Sequence, residues 1–167
     1  MTTHKEYNGW WNYETWLVNL HFDYAFGDDA VHCLEDAVSN ASASDDVRDV
    51  AIDELSKIIE SSVEGLILEH AGSNLLLQDI IGAFTREIEY SEIAAHYIND
   101  LPLFCAGWNV PGYMPDNPPA LFIDAASARD YLIDAIDNDD AKSALEVSKK
   151  GECGINVGNY HYFVARV

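Results

Sequence analysis

The chain has 167 residues, 49% of them hydrophobic and 11% aromatic, enough to bury a core in one domain or in two small ones. Against 9 Lys and Arg stand 29 Asp and Glu, a formal charge of −20; a field of that sign repels nucleic acid and membrane surfaces and attracts basic partners. No apolar run approaches the roughly 18 residues of a membrane span, Met1–Glu6 lacks a secretory leader's apolar segment, and the scattered Cys33, Cys105 and Cys153 fit reduced thiols better than a disulfide framework or a zinc site, so a cytoplasmic protein is expected.

Three of the four tryptophans lie within Gly9–Leu20. Asn12 is a good N-cap for a helix from Tyr13, with Glu14 in the first turn and apolar residues at 13, 16, 17, 20 and 24. In that register Trp11 and Trp16 form a hydrophobic staple, and Trp10 is the one left partly exposed. Helices are then expected over Asp28–Asn40, Ser44–His70 closed by Gly72, Asn74–Tyr90 and Ser91–Asp100. The long helix carries Val47, Val50, Ala51, Leu55, Ile58, Ile59, Val63, Leu66 and Ile67 on its apolar face; the next carries Leu76, Leu77, Ile80, Ile81, Phe84 and Ile88. Short connections make residues 1–101 an acidic helical bundle.

All five prolines lie between 102 and 119, a Gly/Pro/aromatic stretch that reads as a connector. Ala120–Ile123 reads as a strand, Asp124 as the cap of a helix with Ala128, Tyr131, Leu132, Ala135 and Ile136 on one face, and Tyr160–Arg166 as a closing strand. The fold class is α+β: a mainly helical bundle at 1–101, a connector at 102–119, and a small α/β module with a short sheet at 120–167. Charge follows this division, with 20 acids and 4 bases in 1–101 (−16) against 9 and 5 in 102–167 (−4).

Asn12-Tyr13-Glu14-Thr15-Trp16, with Leu77–Ala83 and Glu92-Ile93-Ala94 downstream, resembles a group of small phage- and plasmid-encoded proteins that open with an NYETW helix. The Pro111-Gly112-Tyr113-Met114-Pro115 turn, the Phe122 strand, the Ala128–Asp137 helix and the tyrosine-rich last strand resemble a second type of small phage protein. What the resemblance implies is a mobile genetic element; no catalytic residues come with it. By analogy of circumstance, small acidic proteins of such elements disable host defence, as DNA-mimicking antirestriction and anti-CRISPR proteins do.

Enzyme motifs are weak. There is no phosphate-binding glycine loop, no His-Glu-x-x-His and no Gly-x-Ser-x-Gly. His32 and Cys33 are helix neighbours pointing about 100° apart, the six histidines show no metal-ligand spacing, and the pair Asp139-Asp140 lacks the glycine-containing loop of a calcium site. No cofactor, no metal and no catalysis are expected. The acidic spacing says more. Asp46, Asp49, Asp53, Glu60 and Glu64 share one face of the long helix, interrupted by Lys57, and Asp130, Asp134 and Asp137 form a shorter row. Charged helix faces are often only solvated, but like charges four residues apart destabilise a helix by several tenths of a kcal/mol per pair, so repeated rows suggest that the field is used. Trp108, Tyr113 and Met114 on the connector are candidate anchors, with packing between the modules as the alternative. The expectation is an acidic interaction protein, a DNA-mimic-like inhibitor that occupies the basic groove of a nucleic-acid-binding host defence protein. It would bind neither nucleic acid nor membrane itself, and a homodimer is compatible with it. The alternatives are an acidic structural or adaptor domain whose charge serves solubility, or a metal-dependent enzyme.

Overall fold

The structure, a computed structural model, describes residues 6–41, 46–113, 117–136, 139, 142 and 153–167. In chain order these residues form α1 (Tyr13–His21), α2 (Gly27–Asn40), α3 (Val47–Ala71), α4 (Leu75–Thr85), α5 (Tyr90–Asp100), β1 (Phe104–Asn109), β2 (Ala120–Phe122), α6 (Ala125–Ala135), β3 (Cys153–Val157) and β4 (Tyr160–Arg166). The fold is α+β. The chain divides into two compact units, Met1–Ala37 with Asp45–Asp100, and Val38–Ser44 with Leu101–Val167.

In the first unit α3 and α1 both pack on α5. One stripe of α3, Val47, Ala51, Leu55, Ile59 and Val63, is buried, as are Ile93, Ala94 and Ile98 of α5 and Ala30, Cys33, Leu34 and Ala37 of α2. Arg48 at the start of α3 donates to the Ile98 carbonyl at 2.7 Å, which fixes the two helices antiparallel. Asp46 caps α3 by accepting from the Arg48 amide at 3.0 Å, so the helix begins at Val47 rather than at Ser44, which lies outside the described residues.

Asn12 caps α1, its side-chain oxygen accepting from the Thr15 amide at 2.8 Å. Thr15 is fully buried, and its hydroxyl donates to Asn12 Oδ1 at 2.7 Å while accepting from the Glu89 amide at 3.0 Å. Asn12 Nδ2 donates to the Glu87 carbonyl. Both oxygens of Glu92 accept from the Trp11 amide, at 2.8 and 3.1 Å. The start of α1 is thereby clasped to the turn between α4 and α5. That turn, Arg86–Glu89, ends the helix that the sequence extends to Tyr90 and turns Ile88 into the core.

The expected staple is replaced by another ring. Trp11 is 51% exposed, and it is Tyr7 that packs on Trp16, centroids 4.9 Å apart, and edge-on to Tyr13 at 5.1 Å. The reason is a two-residue turn at Asn8-Gly9, both at positive φ (50° and 85°), which pairs Tyr7 with Trp10 through two 2.9 Å backbone hydrogen bonds and folds Tyr7 back over α1. Trp10 is half-buried, edge-on to His96 at 5.4 Å.

The second unit is an antiparallel sheet of order β2-β1-β4-β3, with α6 packed on one face. Ala128, Leu132 and Ile136 bury against Ala106 and Val164, flanked by Phe104, Trp108 and Tyr162. Asp124 caps α6, accepting from the Ala126 and Ser127 amides at 2.9 Å and from the Ser127 hydroxyl at 2.6 Å; the Ser127 hydroxyl and the amides hold its carboxyl below the usual carboxylate range. Residues 102–119 are therefore not a loop connector throughout, because Phe104–Asn109 forms an interior strand between β2 and β4. The sequence reading also lacks β3, which is joined to β4 by the two-residue turn Gly158-Asn159 with Gly158 at φ 59°.

The buried Thr15 hydroxyl gives a direct test of the clasp. Thr15→Val keeps the volume but leaves the Glu89 amide without its acceptor, and should lower unfolding stability by about 1–3 kcal/mol. A urea midpoint equal to wild type would show that the clasp contributes nothing.

Candidate functional site

The five carboxylates expected on the long helix all lie on α3 or at its cap, and all five are exposed. At about 100° per residue they fall within a 60° arc opposite the buried stripe, and at 1.5 Å per residue they span roughly 27 Å of axis. Asp46 is committed in part to the helix amides. Asp53 is paired with Lys57 at 2.7 Å, and Glu54 approaches the same ammonium at 3.8 Å; both contacts are solvated and contribute little to stability. Hydrogen bonding to Asp53 pushes the Lys57 pKa up.

Glu60 and Glu64 have a neighbour that senses them. The Tyr90 hydroxyl of α5 is buried and without a hydrogen-bond partner among the described residues. Burial, followed by the charges of Glu64 and then Glu60, pushes its pKa up to about 12. Of the row, Glu64 and Glu60 therefore act on α5 as well as on solvent.

The remaining candidates separate. Asp130 and Asp134 are exposed on α6 and belong to the second unit, while Asp137 and Met114 lie outside the described residues. Trp108 is not an exposed anchor: as a residue of β1 it is half-buried against the Ala106–Val164 core and lies 6.3 Å from the Tyr162 ring. Tyr113, beyond the end of the strand, is exposed. Both border a cleft of about 610 Å³ whose other walls include Tyr131, Tyr160 and Tyr162 and which, among the described residues, no carboxylate, ammonium, guanidinium, imidazole or thiol lines. Its tyrosine and tryptophan walls offer stacking surfaces.

His32 and Cys33 do not form a nucleophile and base. His32 is exposed and directed to Glu35 at 3.4 Å, whereas Cys33 is buried, and burial followed by Asp29, Glu54 and Asp36 pushes its thiol pKa up, away from the reactive thiolate. Among the described residues no group of three His, Cys, Asp or Glu side chains could hold a metal ion, and no helix is long and apolar enough to cross a membrane.

One surface escapes the sequence reading. Leu76 and Ile80, expected in the core, are exposed, and α4 has no buried residue at all. The signal is the run Leu75-Leu76-Leu77 with Ile80-Ile81, which is more apolar than one buried face requires.

Residues 3–97 match a family of unknown function, DUF7249. The chain belongs to that family. The matched stretch runs from the N-terminal hairpin into α5 and so corresponds to the helical unit, including the Asn12–Thr15 clasp, the α3 row and α4, and leaves the sheet unit outside. No curated protein and no solved structure matches the chain.

The Tyr90 environment is open to titration. Glu60→Gln with Glu64→Gln should lower the Tyr90 pKa while leaving it above the ordinary value of 10, because burial is the larger cause. A folded pKa raised above the unfolded one stabilises below pH 10, and that contribution is lost as pH rises from 10 to about 12. Tyrosine ring-carbon NMR resolves Tyr90 by comparison with Tyr90→Phe; an unchanged pKa in the double variant would place the two carboxylates out of its reach.

Proposed function

We propose that the protein is a non-enzymatic, acidic interaction protein of a mobile genetic element that occupies a basic, nucleic-acid-binding groove on a host defence protein. The observation that supports this best is the α3 row, five exposed carboxylates on one stripe diametrically opposite the stripe that holds the helix in its unit. Nothing about burial requires acid there. A neutral polar face would fold as well and would avoid the like-charge repulsion of Asp49 with Asp53 and Glu60 with Glu64. Neighbouring carboxylates stand about 4.5–10.5 Å apart along the axis, the range in which backbone phosphates present their charges to lysine and arginine side chains. The negative field also speeds encounter with a basic groove, and it is screened over about 8–10 Å at physiological ionic strength.

Replacing Asp46, Asp49, Asp53, Glu60 and Glu64 together by Asn or Gln should leave the fold intact, with Asp46→Asn still able to cap α3. Binding to the basic target recovered from host lysate should weaken by at least about tenfold and lose most of its salt dependence, while single changes have small effects. The readout is competition against labelled DNA for the purified target in an electrophoretic assay at 50 and 300 mM salt. A fivefold variant that displaces DNA as well as wild type does would refute the reading.

A further inference from the structure

Helix α4 is eleven residues long, shorter than the roughly 12–15 residues that an isolated helix needs to persist in water. Asn74 caps it, accepting from the Leu77 amide at 3.2 Å, but its first turn holds no acid and its last turn no base to complement the helix dipole. Gly82 stands in its interior, where a glycine weakens a helix relative to alanine. Packing does not require a glycine there, since a Cβ would meet nothing nearer than the flexible end of Arg86 at 3.9 Å. Such a helix depends on tertiary burial. That burial is thin: no residue of α4 is buried, whereas α5, of the same length, buries Ile93, Ala94 and Ile98.

Two hollows border α4, one of about 350 Å³ walled by Leu77, Ile81 and Phe84, and one of about 170 Å³ walled by Gln78, Ile81 and Gly82. Ile67 and Ala71 of α3 line both, as Ile81 does. At about 100° per residue, Leu77 and Phe84 fall on one side of Ile81, and Gln78 and Gly82 on the other. The seam of α4 on α3 is therefore about one side chain wide, with open space on either flank. Both ends of the helix are held by bonds that its own residues do not make. Gly72, at φ 52°, ends α3 with its amide on the Leu68 carbonyl at 3.3 Å, and the clasp takes the Glu87 carbonyl and the Glu89 amide beyond the last turn of α4. Gln78 adds a solvated hydrogen bond to the Gly72 carbonyl at 2.7 Å.

We infer that α4 is a lid on the C-terminal half of α3: it detaches and unwinds as a unit of its own, while α1, α3 and α5 stay folded and the clasp stays made. Few buried apolar contacts and a short, intrinsically weak helix are the marks of such a local opening, which belongs to the microsecond-to-second range. Opening bares Ile67 and Ala71, the second of which is buried when the lid is down. The unit thus has two apolar surfaces to present, one closed and one open. The α3 carboxylate row faces away from the buried stripe, so the lid operates whether or not that row binds a target.

The test is native-state hydrogen exchange, followed residue by residue by NMR on the full chain, at increasing urea below the unfolding transition. Relative to free-peptide rates, the amides of α4 should exchange about a hundredfold faster than those of Ile93, Ala94 and Ile98, and nearly independently of urea. The α5 amides should instead follow the urea dependence of global unfolding. Gly82→Ala, which the surrounding space admits, should slow α4 exchange roughly fourfold through the better helix propensity of alanine. Ile81→Ala, which removes the side chain at the seam, should speed it about tenfold. Protection of α4 equal to that of α5, or the same urea dependence for both, would show that α4 opens only with the whole unit. Exchange of α4 at the free-peptide rate would show that it never closes, and α4 rates unmoved by Gly82→Ala would show that the opening is not an unwinding of this helix. Each of these three results overturns the inference.

Discussion

Four polar groups drawn from opposite ends of the helical unit, Asn12, Thr15, Glu92 and the backbone of Glu87–Glu89, set the geometry on which the rest depends. A cap alone would start α1, but here the capping oxygen also accepts from a buried threonine hydroxyl, and that hydroxyl accepts from an amide 74 residues away. The arrangement works because its buried member, the Thr15 hydroxyl, both donates and accepts, so its burial costs little. With the α4–α5 turn held, α5 is placed to bury Ile93, Ala94 and Ile98, and Arg48 completes the antiparallel seat of α3. The solvent side of α3 is then a consequence. The residues of the Asn12–Trp16 motif each have a place in this account: a cap, a ring on Tyr7, a first-turn acid, a buried hydroxyl and a second ring.

Along α3 two tendencies compete, and their magnitudes decide between them. The like-charge pairs, Asp49 with Asp53 and Glu60 with Glu64, oppose the helix by about 0.2–0.5 kcal/mol each, part of it relieved where Lys57 joins Asp53. Leu55, Ile59 and Val63 each contribute roughly 1.5–3 kcal/mol on burial. Packing therefore exceeds repulsion several-fold, and the helix can carry a charge pattern that would weaken it in isolation. The same logic runs the other way for α4, which buries nothing fully and carries one acid in eleven residues.

How much of this is legible in the sequence follows from whether the signal is local. The caps Asn12, Asp46, Asn74 and Asp124 act within three residues of themselves, and helix starts can be placed from them closely. The acidic row is likewise a matter of spacing on one helix. What escapes depends on partners distant in the chain. Phe104–Asn109 sits among prolines and glycines and looks like a loop until β4 pairs along its whole length, and Cys153–Val157 is a strand through the same neighbour. Trp108 is packed against the core by that pairing, which no property of the Pro-rich segment announces. Two misses had local signals: Asn8-Gly9 and Gly158-Asn159 are turn dipeptides of the kind that close two-residue hairpins, and the first decides that Tyr7 rather than Trp11 reaches Trp16.

The separation of 74 to 81 residues across the clasp has a meaning for synthesis as well as for the finished fold. A chain emerging from its N-terminus presents Tyr7, Trp10, Tyr13 and Trp16 first, and the turn and helix that receive them last among the elements of that unit. At 5–20 residues per second the interval is roughly 4–16 s, long compared with the microseconds in which a helix or hairpin forms. During that time the aromatic hairpin can fold on itself through Asn8-Gly9 but has nowhere to dock. On that timescale the nascent chain spends seconds with four aromatic rings open to solvent, followed in sequence by an acidic stretch that includes Asp28, Asp29, Glu35 and Asp36.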